Sequence, residues 1–130
     1  DGSNRNYTIQ VLRSNPIPIN VEVAPFVDPS HIQTATLIDT LGGFAIQITM
    51  NNSGSFRMQN ITASNRQRRV AVQMIDSDNK QRWLAAPKII QPINNGSFIF
   101  TPDLDSREEA EKIVNGVNNM VKKIERKNRF

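Results

Sequence analysis

Residues 34–50 read TATLIDTLGGFAIQITM. TATLID and GFAIQITM are rich in apolar and β-branched residues, and the intervening TLGG carries two adjacent glycines. Branched side chains pack well on a pleated surface, and glycine adopts turn dihedrals that other residues resist. The stretch therefore predicts a β-hairpin.

Downstream, NNSGSFRMQNIT (51–62) predicts a short helix capped by Asn52 or Ser53, with Met58 and Ile61 on its apolar side. Gly54 lowers its helix propensity, so this helix needs tertiary support. RRVAVQMI (68–75) and QRWLAA (81–86) predict two strands joined by DSDNK (76–80), whose Asp and Asn side chains bond their own backbone in turns. Pro87 ends the return strand, KIIQPI (88–93) runs extended, NNG (94–96) turns, and SFIFT (97–101) is another strand. Upstream, YTIQVL (7–12) predicts a strand, Pro16 and Pro18 break RSNPIPIN (13–20), and VEVAPFV (21–27) reads as a short edge strand. DPSHIQTA (28–35) holds one helical turn, with Asp28 as cap and Pro29 at its first position.

The clearest element is SREEAEKIVNGVNNMVKKIERK (106–127). Ser106 and Glu109 form a capping box, and Ala110, Ile113, Val114, Val117, Met120 or Val121, and Ile124 recur at helical spacing on one face. Acidic residues open the helix and lysines close it, as the macrodipole favours. Gly116 is expected to mark close packing against a sheet. Strands, short helix, hairpin, strand and long helix in this order predict an α+β fold, a mainly antiparallel sheet with helices packed on one face. The strand–helix–strand–strand–helix part is ferredoxin-like, a split βαβ.

The 130 residues contain no cysteine, which excludes disulfides and thiolate zinc sites. No stretch approaches the ~18 apolar residues of a membrane span. Asp1 is not a natural start, so a piece of a longer chain or a processed form is expected. The net charge of +4 is ordinary, and much of the excess sits in Lys122, Lys123, Arg126, Lys127 and Arg129. No nucleic-acid partner is expected, because the basic residues lack interleaved stacking aromatics.

Candidates for chemistry are few. His31 is the only histidine, with Asp28 three residues away, and a structural or surface role outweighs a catalytic one. Asp76, Asp78 and Asn79 begin like a calcium loop but lack the later Gly and Glu, so a solvated turn is the better reading. Asp103 and Asp105 precede a helix N-terminus, where negative charge is favourable anyway. No phosphate loop, dinucleotide fingerprint or nucleophile elbow occurs, so no catalytic, cofactor or metal residue is assigned. Arg66, Arg68 and Arg69 form a basic cluster, and Arg68 with Lys80, Arg82 and Lys88 can build a basic face. Trp83 on its strand reads as core more readily than as a ligand platform.

Several of these segments together resemble the head subdomain of the first large extracytoplasmic domain of SecD, the accessory membrane protein of Sec-dependent export. GSFRMQNIT (54–62) stands where that family has Gly-Ala-Lys-x-Phe-x-x-Leu-Thr, and QRRVAVQMID (67–76) where it has Gly-x-x-Leu-Ala-Ile-x-Leu-Asp. AAPKI (85–89), INNG (93–96) and FTPDLDSREEA (100–110) follow in the family's order. The likeness covers residues 34–121. It departs from the pattern at Gln67, which replaces a glycine, and in longer connections at 76–80 and before the last helix. It implies a SecD-head-like subdomain over 34–130, with residues 1–33 as unassigned strands and loops, the whole forming one domain.

The resemblance implies a non-enzymatic domain of a protein-export or envelope system that contacts unfolded preprotein or a partner protein. The expected location is the extracytoplasmic side of the cytoplasmic membrane, on a parent chain that is itself membrane-anchored. A polypeptide or membrane-protein partner is expected, and no cofactor or small-molecule substrate. The candidate protein-binding residues are Trp83, Ile89, Ile90, Ile93, Arg68 and Arg82, the isoleucines forming an apolar rim on the 88–93 crossover. The alternative is a structural or oligomerisation domain of a cell-envelope protein.

Overall fold

The computed structural model describes residues 6–11, 17–22, 25–75, 81–104 and 106–127. The turn expected over 76–80, with Asp76, Asp78, Asn79 and Lys80, lies outside them, as does Asp105. In chain order the elements are β1 (Asn6–Val11), β2 (Ile17–Glu22), a 3-10 turn (Pro29–His31), β3 (Ile32–Thr40), β4 (Gly43–Met50), α1 (Asn52–Ser64), β5 (Val72–Ile75), β6 (Gln81–Ala85), β7 (Ser97–Phe100) and α2 (Arg107–Lys127).

β3 and β4 form the expected hairpin, with Gly42 at φ +83° in its turn. β7 adds to the other side of β4, giving an antiparallel three-stranded sheet in the order β3-β4-β7. The register sets Ala35, Ile48 and Phe98 in one row and Leu37, Ile46 and Phe100 in the next. Side chains alternate along each strand, so all of these share one face. That face is the core: it joins Met58 of α1, Leu84 of β6, Ile89 and Val114 of α2 in one buried cluster. The Phe98 and Phe100 rings stack with centroids 5.6 Å apart. The fold is thus α+β, with both helices packed onto an antiparallel sheet in a split βαβ arrangement. The remaining strands make two antiparallel ribbons, β1-β2 and β5-β6.

Local differences from the sequence reading have physical causes. β2 lies over Ile17–Glu22 and includes Pro18, while Pro25–Val27 is not a strand. In a two-stranded ribbon each strand has an open side, where a missing N–H removes no ladder bond. α1 is capped by Asn51, whose Oδ1 accepts the Gly54 N–H at 2.9 Å. Its buried stripe is Gly54, Met58 and Thr62. β5 begins at Val72, and residues 68–70 continue the ribbon only through the bridge between Arg69 and Lys88. Gly116 is exposed, with open space where a Cβ would sit, so it does not mark close packing.

Gln67 adopts φ +69°, the left-handed region that favours glycine. The resembled family carries glycine at this position, and the backbone explains why. Left-handed backbone costs an L-residue roughly 1–2 kcal/mol, part of which glycine's greater unfolded freedom cancels. Gln67→Gly is therefore expected to raise stability by roughly 0.5–1 kcal/mol, read as a higher urea midpoint at unchanged slope.

Candidate functional site, an open strand edge and its groove

Backbone parity decides which strand edges are free. The Met50 N–H donates to the Gly96 carbonyl at 2.9 Å. Hydrogen-bonded pairs alternate along an antiparallel ladder, so Ile48–Phe98 and Ile46–Phe100 are the next bonded pairs. Ser97 and Ile99 therefore turn their N–H and C=O groups away from β4. The Ser97 N–H is taken by Asn95 Oδ1 at 3.1 Å. The Ile99 groups face the open edge, and its side chain is 55% exposed.

The opposite edge is covered at one point. The same parity turns the Ala35 backbone outward from β3, and Asn118 of α2 meets it there. Asn118 Oδ1 accepts the Ala35 N–H at 2.8 Å, and its Nδ2 donates to the Ala35 carbonyl at 3.0 Å. Thr34 Oγ1 donates to the same Oδ1 at 3.2 Å. One carboxamide thus exchanges both bonds that a neighbouring strand would make at Ala35, and it blocks the edge there.

Beside β7 lies a groove of about 340 Å³ between the strand and the 87–95 crossover. Buried Ile89, Val70 and Phe98 form its floor, Ile93 is half-buried, and Ile90 stands 67% exposed at the rim. The extended crossover alternates, so Ile89 enters the core while Ile90 meets solvent, and the isoleucines form floor and rim rather than one exposed patch. Backbone bonds pin the crossover: Ile89 N–H to the Arg68 carbonyl at 2.8 Å, Gln67 N–H to the Ile89 carbonyl at 2.8 Å, and Val70 N–H to the Pro87 carbonyl at 2.9 Å. Ile93 N–H donates to Thr62 Oγ1 at 2.9 Å, and that hydroxyl donates to the Met58 carbonyl at 2.6 Å. Gly96 takes φ +76° to enter β7. Among the described residues no backbone hydrogen bond joins the crossover to β7.

Of the residues singled out in the sequence, Ile89, Ile90 and Ile93 line this groove, and Arg68 is exposed beside the crossover that its carbonyl holds. Trp83 is half-buried on β6 and does not line it. Arg82 is turned inward: Nη2 donates to the Asp103 carbonyl at 3.2 Å, Nη1 lies 3.6 Å from Glu109 Oε1, and Nε is buried without a hydrogen bond. It ties β6 to the start of α2. Ser97, Phe98 and Ile99 are the residues that sequence reasoning missed. Their signal was Ile99 itself, an apolar residue on the solvent side of an alternating strand.

His31 is buried and structural. Its Nδ1 accepts the Asp28 N–H at 3.0 Å, so that nitrogen carries no proton of its own, and the 3.3 Å approach of Asp28 Oδ1 is not an ion pair in this tautomer. Asp28 Oδ1 accepts from the Ser30 hydroxyl at 2.6 Å and the Ser30 N–H at 2.8 Å. These bonds hold its carboxyl below the usual carboxylate range, with help from Arg57. Among the described residues no group of His, Cys, Asp and Glu could hold a metal ion.

Residues 6–118 match the family SecDF, P1 head subdomain, a span that takes in β1, the whole groove and Asn118. The fold is similar to a solved SecDF described as "a membrane component SecDF that enhances protein export", with TM-score 0.62 and 22% identity over 84% of this chain and 44% of that one. It is also similar to SecDF "in Super-membrane-facing form", with TM-score 0.60 and 22% identity over 84% of this chain and 13% of that one. The chain therefore spans less than half the length of either SecDF chain. No curated protein sequence matches it. With the family match extending over most of its length, the chain belongs to the SecDF P1 head subdomain family.

Proposed function

We propose that this domain receives an extended polypeptide on the open edge of β7, on the extracytoplasmic side of the cytoplasmic membrane, as part of a protein-export system. It is a non-enzymatic domain related to the SecDF export system, so binding rather than bond chemistry is what its surface has to explain. The observation that carries the reading is the unpaired backbone of Ile99 beside an apolar groove. An unfolded chain brings its own unpaired N–H and C=O groups, and strand addition satisfies both partners without regard to sequence. Every second side chain of the added strand would drop toward Phe98, Ile89 and Ile93. Among the described residues no helix is long and apolar enough to cross a membrane, so attachment would come from other segments of the parent.

Ile99→Pro tests this. The lost N–H points away from β4, so the ladder keeps its bonds and the fold survives. Affinity for a permanently unfolded polypeptide is expected to fall roughly tenfold, the upper range for one net hydrogen bond. Ile99→Val should bind as the wild type does. A proline variant that binds equally well would overturn strand addition.

A further inference from the structure

Among the described residues around the groove, charge has one sign. No Asp or Glu occurs over 40–75 or 81–102, while these spans hold Arg57, Arg66, Arg68, Arg69, Arg82 and Lys88. Arg57 acts on Asp28 and Arg82 is held by Asp103 and Glu109, which leaves Arg66, Arg68, Arg69 and Lys88 exposed around one end of the groove. Lys88 lines the groove itself.

Two of these cations are set against each other. Arg69 and Lys88 are direct cross-strand partners. The bonds flanking them, Ile89 N–H to Arg68 and Val70 N–H to Pro87, make this the non-hydrogen-bonded kind of pair, which brings side chains closest. Like charges in that position destabilise a ladder. Arg69 Nη1 donates to the Ala86 carbonyl at 2.7 Å, and among the described residues none of the four cations pairs with a carboxylate. Among the described residues the cluster at the groove is thus uncompensated, and an arriving anion would relieve it.

We infer that the groove selects extended segments whose apolar alternation is flanked by Asp or Glu, and disfavours segments flanked by Lys or Arg. The inference rests on the reading of β7 as a strand acceptor and supplies the class of chain accepted. Backbone pairing at Ile99 gives sequence-tolerant affinity. The flanking carboxylates meet Lys88, Arg69 and Arg68, and this part of the attraction weakens as salt screens it.

The test uses three peptides with one alternating Val-Thr centre, flanked at both ends by Glu, Ser or Lys, titrated into the whole chain and followed by amide shifts. The Glu-flanked peptide is expected to bind about tenfold more tightly than the Lys-flanked one at low salt, with Ser between, and the gap should narrow at high salt. Lys88→Glu combined with Arg68→Glu should reverse the order. That variant removes the Arg69–Lys88 repulsion, so it folds. Equal affinities with shifts on Ser97–Phe100 would overturn the charge selection and leave the strand acceptor standing. A Glu preference with shifts confined to Arg66–Arg69 would place binding outside the groove and overturn the inference. Absence of shifts on β7 with every peptide would overturn the underlying reading as well.

Discussion

Gly54→Ala is expected to lose roughly 2–3 kcal/mol of stability, the upper range for overpacking a rigid contact. A Cβ at this position would stand 2.5 Å from the His31 carbonyl oxygen, 2.8 Å from His31 Cβ and 3.1 Å from Met50 Cβ. The carbonyl cannot retreat freely, because it accepts the Asn51 N–H at 3.0 Å at the start of the same helix. Helix propensity alone points the other way, since alanine in a helix interior gains about 1 kcal/mol over glycine. The sign of the change therefore separates the two accounts. Urea unfolding of the variant at unchanged slope gives it directly, and a more stable alanine variant would show that α1 does not sit as close to His31 as described.

Thr62→Val is the second large effect, expected at about 2 kcal/mol. Thr62 is fully buried, and its hydroxyl is both donor to Met58 and acceptor for Ile93. Valine has nearly the same shape but leaves the Ile93 N–H unpaired, and an unsatisfied buried donor costs roughly 1–3 kcal/mol. Thr62→Ser keeps the acceptor and should recover most of the loss. Because Ile93 lines the groove, valine should also weaken polypeptide binding, whereas serine should not. Equal stability of valine and serine variants would mean that the crossover is held by packing alone.

These two residues show why α1 was only partly legible in the sequence. Its buried stripe is Gly54, Met58 and Thr62 at a spacing of four. Only one of them is apolar and large, so hydrophobic periodicity points instead to Met58 and Ile61. The hairpin and α2 were legible because each carries redundant signals: alternation with paired glycines in one, a long apolar stripe with a cap and graded charge in the other. Proline misled the reading of β2, because whether Pro18 breaks a strand depends on which side of it is paired.

The site was legible in its crossover and not in its edge. Ile89, Ile90 and Ile93 stand out as apolar residues among prolines. Which strand edge is open depends on sheet order and backbone parity, and neither is written locally. Asn118 illustrates this: within the helix pattern it is one polar residue among many, yet it blocks the β3 edge at Ala35. Arg82 illustrates the reverse, a charge that reads as surface and is spent inside.

The central claim is that an extended chain completes the β7 edge. Its most direct test is amide hydrogen exchange of Ile99 with and without a saturating, permanently unfolded polypeptide, with the Ala35 amide as internal reference. Exchange at Ile99 should slow markedly on binding, because its N–H gains a partner, while Ala35, already bonded to Asn118, should not change. Saturation with no change at Ile99 would contradict the account and place the polypeptide elsewhere on the domain.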